Sequence, residues 1–184
     1  MPQLSTAVRN AMGNAIETAI GASPVFEYRT GLPPASPAAA SSGTLLMSGT
    51  MPSDWMTDAA NGVKAVNSNV KADAAVAAGY AGHFRVKASD GTYHMQGLVS
   101  ENWTASKAYV VGMQVNLGGN VYRCTAAGAA AATGGPTGTG TGITDGSVTW
   151  AYAGPQDLVL ANTNIAAGQE GINLSSYQLT MPNA

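Results

Sequence analysis

Side chains that commonly carry out chemistry are few in this sequence and stand far apart. The 184 residues include one cysteine and two histidines. Cys124 follows Arg123, whose charge could lower the pKa of a thiol, but a position in a predicted strand favours a buried, structural cysteine. No serine, cysteine and histidine have the spacing that is typical of a nucleophile with its base. The sequence therefore predicts no catalytic residue and a protein that is not an enzyme.

The carboxylates, the histidines and the glycine-rich segment also lack the patterns of common sites. The ten acidic residues are scattered, and Asp54 and Asp58 are more typical of a surface pair than of a catalytic dyad. His83 and His94 have no Asp, Glu or Cys at metal-ligand spacing. Residues 134–142 lack the lysine of a phosphate-binding loop. We therefore expect neither a metal ion nor a cofactor.

Charged residues make up only 10% of the chain, against about 25% in a typical soluble domain. The net charge of −2 leaves no basic surface for nucleic acid or for an anionic membrane. The N-terminus lacks the pattern of a signal peptide, and no apolar run approaches the 18 or so residues of a membrane span. We therefore expect folding in a cytoplasm, and the low charge indicates assembly into a larger particle.

The segment 4–20 has the periodicity of an amphipathic helix that ends near Gly21. Its apolar residues recur at three- and four-residue steps and form one stripe. This stripe fits either a helix packed on its own domain or an arm docked on a partner. The candidate partner-binding residues of this helix stripe are Leu4, Val8, Met12 and Ile16.

Residues 22–100 alternate as β-strands do, with the clearest pattern in a hairpin over Ala81–Ser100. Asp90-Gly91 is a favoured two-residue turn and pairs Arg85 with Gln96 and Lys87 with His94. Successive side chains of a strand point to opposite faces. The predicted buried face consists of Phe84, Val86, Ala88, Tyr93 and Met95. The predicted solvent-exposed face consists of His83, Arg85, Lys87, His94 and Gln96.

Residues 101–155 differ in composition from the rest of the chain. They hold five of the twelve aromatic residues but only four charged residues. Strands are predicted at Met113–Leu117, Val121–Thr125 and Ser147–Tyr152, and beyond the segment at Asp157–Leu160 and Gly171–Thr180. The sequence therefore predicts a mainly β protein: a β-sandwich or jelly-roll-like host domain of residues 1–100 and 156–184, with a short N-terminal helix and a small inserted β module at 101–155.

Several stretches of the host domain resemble a family of small structural proteins of tailed bacteriophages. They are MPQLSTAVRNAM, IETAIGASPVFEYRTG, MPSDWM, AGHFRV, HMQG, NTNIAAGQ and SSYQLT. In those relatives the strand like HMQG runs through a short turn into the strand like LVLANT, whereas here residues 101–155 interrupt that turn. The resemblance implies a virion component, most plausibly a decoration protein on the outside of the capsid.

The inserted segment resembles small β modules of phage surface proteins and is similar to chitin-binding-type carbohydrate modules. The shared residues are Trp103, Tyr109, Gly112, Val115, Gly119 and Tyr122. Candidate glycan-binding residues are Trp103, Tyr109, Tyr122 and Trp150. Cys124–Gly128 is a run of small residues where sugar-binding relatives place exposed aromatic rings, and a sugar site needs a flat aromatic face.

Two functions follow as expectations. The first is a non-enzymatic structural protein of the virion that binds the major capsid protein or other virion subunits, assembles with copies of itself and projects the inserted module outward. The alternative is a tail-associated adhesin that binds a receptor or a glycan of the host surface. Neither function calls for a nucleic acid or a membrane as partner.

Overall fold

The computed structural model describes residues 3–67, 70–174 and 176–183. The fold is mainly β with one short N-terminal helix, as the sequence predicts. The helix α1 spans Thr6–Ile20, and the strands are β1 (Val25–Thr30), β2 (Leu45–Thr50), β3 (Val63–Ala65), β4 (Val70–Lys71), β5 (Gly79–Lys87), β6 (Tyr93–Asn102), β7 (Ala108–Tyr109), β8 (Gln114–Leu117), β9 (Asn120–Ala126), β10 (Gly128–Ala129), β11 (Thr141–Asp145), β12 (Val148–Pro155), β13 (Leu158–Leu160), β14 (Asn164–Ile165), β15 (Asn173–Leu174) and β16 (Gln178–Thr180).

The host domain has a sandwich-like architecture. Strands β2, β1, β5 and β6 are antiparallel neighbours in one sheet. The two-stranded ribbons β3–β16 and β4–β15 lie against its apolar face. Phe26 stacks on Phe84 with ring centroids 5.3 Å apart, and Tyr177 meets Phe84 edge-on at 5.4 Å. The alternation of apolar residues in β1 and β5 therefore does place the predicted inner face in the core.

One sheet runs from the host domain into the inserted module. The end of β6 pairs in parallel with β8, and the order continues through β9 and β12 to the edge strand β11. The buried apolar side chains of the module form a cluster of their own, against which Tyr80 of the host also packs. Because the sheet is continuous although the cores are separate, the domain division at 101 and 155 stays a prediction.

Several short strands are not predicted by the sequence pattern. The edge strand β11 lies in a segment of Gly and Thr that predicts a loop, and it pairs with β12 through backbone groups. The predicted strand 171–180 contains the two short strands β15 and β16, and its Ser175 lies outside the described residues. Backbone pairing at an edge needs no apolar side chain, so hydrophobic alternation cannot reveal it.

The strands that flank the insertion run parallel. Leu158 pairs with Val99 and Leu160 with Glu101. Because a tight hairpin turn joins only antiparallel strands, a chain that leaves β6 must travel back along it before entering β13. Residues 103–157 make this crossover here.

This geometry predicts how short a replacement for the insertion can be. Asp157 accepts a hydrogen bond from the backbone of Leu98, about 10 Å along the strand from Glu101. A flexible linker of about six residues reaches roughly 20 Å, but a two-residue linker cannot reverse direction and cover that distance. We expect a chain with the longer linker in place of residues 102–156 to unfold cooperatively on heating, and one with the shorter linker to unfold at lower temperature. Equal thermal stability of the two chains would contradict the parallel pairing.

Candidate interaction surfaces

Polar side chains attach the helix to the host domain. Asn10 accepts a hydrogen bond from the backbone N–H of Gly62 at 2.8 Å, and Asn14 accepts one from Ala59 at 2.9 Å. Gly13, which lies between these two positions on the helix, is buried against the same segment. The small glycine brings the helix close enough for the amide side chains to reach the backbone.

A buried lysine on β3 strengthens this attachment. Lys64 is only 1% exposed and pairs with Glu17 of the helix at 2.7 Å. Its ammonium also donates to Asn14 at 3.1 Å and to the carbonyl of Thr57 at 2.9 Å. A buried charge is costly unless it is paired and hydrogen-bonded, so the polar side of α1 must face inward.

The helix stripe consequently lies largely outside. Val8 is 46% exposed and Met12 38% exposed, although both are apolar. Leu4 is half-buried, and Ile16 packs against the host core. The structure thus places Val8, Met12 and Ile16 on one helix and Leu4 just before its N-cap, Ser5, and gives the four candidate residues different surroundings.

A groove continues the stripe beyond Ile16. It has a volume of about 300 Å³ and is lined mainly by apolar side chains. His94, whose position the hairpin pattern places on the solvent side, lies at this groove and is exposed. The lining residues are Ile16, Ala19, Ile20, His94, Met95 and Leu179.

The predicted solvent-exposed face of the hairpin is largely buried, which corrects the sequence analysis. Arg85 has no solvent-exposed surface, because residues 31–43 lie over it. Its guanidinium donates to the carbonyls of Pro37 and Ala39 at 2.5 and 3.1 Å and to the hydroxyl of Ser41 at 2.6 Å. The proline-rich segment, which makes few backbone hydrogen bonds of its own, is thus fixed by a side chain of the sheet beneath it.

His83 lies beside Arg85 and is also fully buried. Its Nδ1 is 3.0 Å from the carbonyl oxygen of Gly31, and since a carbonyl only accepts, Nδ1 carries the proton. Burial lowers the pKa of His83, and the charges of Arg29 and Arg85 lower it further, against the opposing effect of the hydrogen bond to Gly31. His83 is therefore neutral at physiological pH and serves as a structural group.

The hairpin turn also differs from the predicted one. A β-turn spans Ala88–Gly91, with the Gly91 N–H donating to the Ala88 carbonyl at 3.0 Å. A register shift follows, so Lys87 pairs with Tyr93 rather than with His94. Because a shift of one residue moves a side chain to the other face, Tyr93 joins the polar side. The pairing of Arg85 with Gln96 is as predicted.

Tyr93 and two cations surround the buried carboxylate of Glu27. The tyrosine hydroxyl donates to Glu27 at 3.0 Å, Lys87 pairs with it at 2.7 Å and Arg29 at 2.9 Å. Burial opposes ionisation, but the hydrogen bonds and charge of Lys87, with those of Tyr93 and Arg29, outweigh it and hold the pKa of Glu27 below its ordinary value. The same pairing raises the pKa of Lys87.

The candidate glycan-binding aromatics are mostly core residues. Tyr109, Tyr122 and Trp150 are buried, and Trp103 is half-buried. Tyr109 meets Trp150 edge-on with centroids 5.0 Å apart. The structure therefore brings these four residues together as a core, and none of the four presents a flat exposed ring for a sugar to stack on.

A buried carboxylate that the sequence analysis missed organises this core. Asp145 accepts hydrogen bonds from the indole N–H groups of Trp103 at 2.8 Å and Trp150 at 3.2 Å. Its other oxygen accepts from the backbone of Ala131 at 2.9 Å. The indole N–H groups that could bind a ligand are thus used inside the module.

Conventional chemical sites are not evident in the part of the chain that the structure describes. Burial raises the pKa of Cys124, and this effect exceeds the opposing hydrogen bond to Ala126 and the charge of Arg123. No group of three or more His, Cys, Asp or Glu side chains comes together there. No helix in those residues has the length and apolarity to span a membrane.

Comparison of the chain with protein-family models, with curated proteins and with solved structures finds no match.

The charge cluster predicts a specific pH dependence. Because the pKa of Glu27 is lowered by folding, its contribution to stability is fully present above pH 4.5, its unperturbed value, and is lost as the pH falls through the lower folded-state pKa. Glu27→Gln should destabilise the protein by about 3 kcal/mol at neutral pH, and by progressively less in acid. Denaturant unfolding between neutral and acidic pH measures the difference.

A matched control is Glu170→Gln, since Glu170 pairs with Lys71 on the surface. An exposed pair contributes little to stability, so we expect the free energy of unfolding to stay close to that of the unaltered protein. A Glu27→Gln deficit that stays constant as the pH falls would refute the argument for the buried pair.

Proposed function

We propose that this protein is a non-enzymatic structural component of a tailed-bacteriophage virion, most plausibly a decoration protein on the capsid. The observation that carries the proposal is the orientation of the helix: its polar side chains hold it to the host domain, and the apolar side chains of Val8 and Met12 are presented to solvent. The resemblance of the host domain to phage structural proteins supports the choice of particle.

The size of the exposed surface supports a partner with many repeated sites. The helix has 15 residues and is about 22 Å long. With a face about 10 Å wide, it offers on the order of 200 Å² per molecule, whereas a stable interface buries about 800 Å² on each partner. One stripe therefore binds weakly by itself, and contacts between neighbouring copies on a symmetric shell supply the rest.

The buried polar network supports a role as a rigid component. Residues 31–43 are held through Arg85, and Gln96 donates to the carbonyl of Pro34 at 2.6 Å. Affinity for a shell depends on surfaces that keep their shape, because ordering mobile segments on binding costs free energy. In this proposal the inserted module projects away from the shell.

The alternative function, a tail-associated adhesin, draws less support from the geometry. It was suggested by the aromatic residues of the inserted module, and most of these are buried. Receptor binding through Trp103, Tyr109, Tyr122 and Trp150 would require the module to open its core.

The copy number in the particle tests the proposal directly. A capsid decoration protein occupies symmetry-related sites and should be present on the order of hundreds of copies per virion. Quantitative mass spectrometry of purified virions of the encoding phage measures this number. A few to tens of copies would favour the tail-associated alternative, and failure to detect the protein would overturn both.

The helix stripe gives a second prediction. Val8→Gln together with Met12→Gln removes two exposed apolar side chains and keeps good helix-forming residues. We expect at least about a tenfold weaker association with particles that lack the protein, measured by co-sedimentation, and an unchanged melting temperature.

Val76→Gln is the matched control, because Val76 is 69% exposed and its backbone N–H donates to Leu46 of β2. It should bind particles as the unaltered protein does. Equal binding by the double variant would show that the stripe is not the docking surface.

A further inference from the structure

A cleft lies where the host domain meets the inserted module. The host contributes the turn Thr30–Gly31 and the start of β5, and the module contributes Val111, Gly112 and Arg123. Its volume is about 290 Å³, at the lower limit of pockets that hold drug-sized ligands. A ligand of this cleft is therefore small, about one ring in size.

Two glycines leave open space beside the cleft. Gly31 and Gly112 have positive φ angles of 74° and 97°, and a side chain added at either position would meet no described atom within 4 Å. Glycine at these positions therefore leaves open space that the side chain of any other residue would occupy.

Arg123 supplies a cation that the described residues do not neutralise. Its Nε is buried and has no hydrogen-bond partner among them, and none of the ion pairs that they form includes it. Buried guanidinium groups usually find partners, because an unsatisfied charged donor is costly. The other cation of the module, Lys107, is paired with Glu101.

The surroundings of Arg123 favour an anion. No acidic side chain is found among the described residues that line the cleft. A carboxylate is the group that a planar guanidinium binds best, through two parallel hydrogen bonds.

Apolar contacts flank the cation. Tyr80 is half-buried in the wall of the cleft, and Val111 is 56% exposed at its rim. An aromatic ring and a branched aliphatic group can pack against the flat face of a ring-shaped ligand. The cleft thus combines one charged contact with an apolar wall.

From this arrangement we propose that the junction cleft binds a small organic carboxylate built on a single ring, with its carboxylate on Arg123 and its ring against Tyr80 and Val111. An acidic sugar unit and an aromatic acid share this chemistry. The site is separate from the helix stripe, and the proposal does not depend on a place in the virion.

Amide NMR of the full-length protein tests the proposal with four probes. Glucuronate and benzoate carry a ring and a carboxylate, acetate carries the carboxylate alone, and glucose carries the ring alone. We expect glucuronate or benzoate to shift the amide signals of Gly31, Gly79 and Gly112, with an affinity that falls as salt is added. Tighter binding of glucuronate would identify the ligand as an acidic sugar unit, and tighter binding of benzoate would identify it as an aromatic acid.

Variants distinguish binding at the junction cleft from binding elsewhere on the protein. Arg123→Gln should weaken binding about tenfold or more, because it removes a charge-assisted hydrogen-bond pair. Arg9→Gln is the matched control, since Arg9 also has a buried Nε without a partner among the described residues but lies on α1. Val111→Asp should weaken binding more than Val111→Asn, because both remove the apolar contact but only aspartate adds a repelling charge; both variants change an exposed position.

Four outcomes would overturn the proposal. The first is that neither ring acid shifts the amide signals of the cleft. The second is that acetate binds as well as the ring acids, and the third is that glucose binds as well as glucuronate. Equal binding by Arg123→Gln would also overturn it, provided that this variant keeps the far-ultraviolet circular dichroism of the unaltered protein.

Discussion

The polar side of the host sheet depends on the ion pairs and the hydrogen bond that surround the buried carboxylate of Glu27. An ionised group at this depth persists only with close partners. Lys87 and Arg29 supply the charge, and the hydroxyl of Tyr93 completes the shell. The tyrosine ring in turn lies under Arg85, whose guanidinium carbon is 3.7 Å from the ring centroid. Arg85 then donates to the carbonyls of the proline-rich segment. A series of contacts thus connects the carboxylate of Glu27, through Tyr93 and Arg85, with a loop that has almost no secondary structure.

The same requirement explains the orientation of α1. Lys64 sits in the host domain at a depth where its charge needs a carboxylate, and Glu17 of the helix provides it. Asn10 and Asn14 satisfy backbone N–H groups of the loop before β3, which would otherwise lack partners. With these groups turned inward, helical geometry turns Val8 and Met12 outward. The exposure of the helix stripe is thus a consequence of polar anchoring.

The sequence was sufficient to predict the features that depend on local periodicity. The alternation in β1 and β5 places Phe26 and Phe84 in the core, and the spacing of apolar residues predicts α1. Burial of Arg85 could not be predicted, because it depends on where a remote loop lies. Tyr93 lies on the polar face of the hairpin because of one register shift, which the residue pattern does not predict. The junction cleft combines residues distant in sequence, and a lone arginine such as Arg123 gives no motif.

The continuity of the sheet through β6 has a mechanical consequence. The inserted module is joined to the host by two chain crossings, and also by strand β6, which starts in the host and pairs at its end with β8. A force applied to the far edge at β11 therefore passes along a ladder of backbone hydrogen bonds into the middle of the host sheet. The module is thus an extension of the host sheet, and a load on its edge strand is shared among hydrogen-bonded strands of both parts.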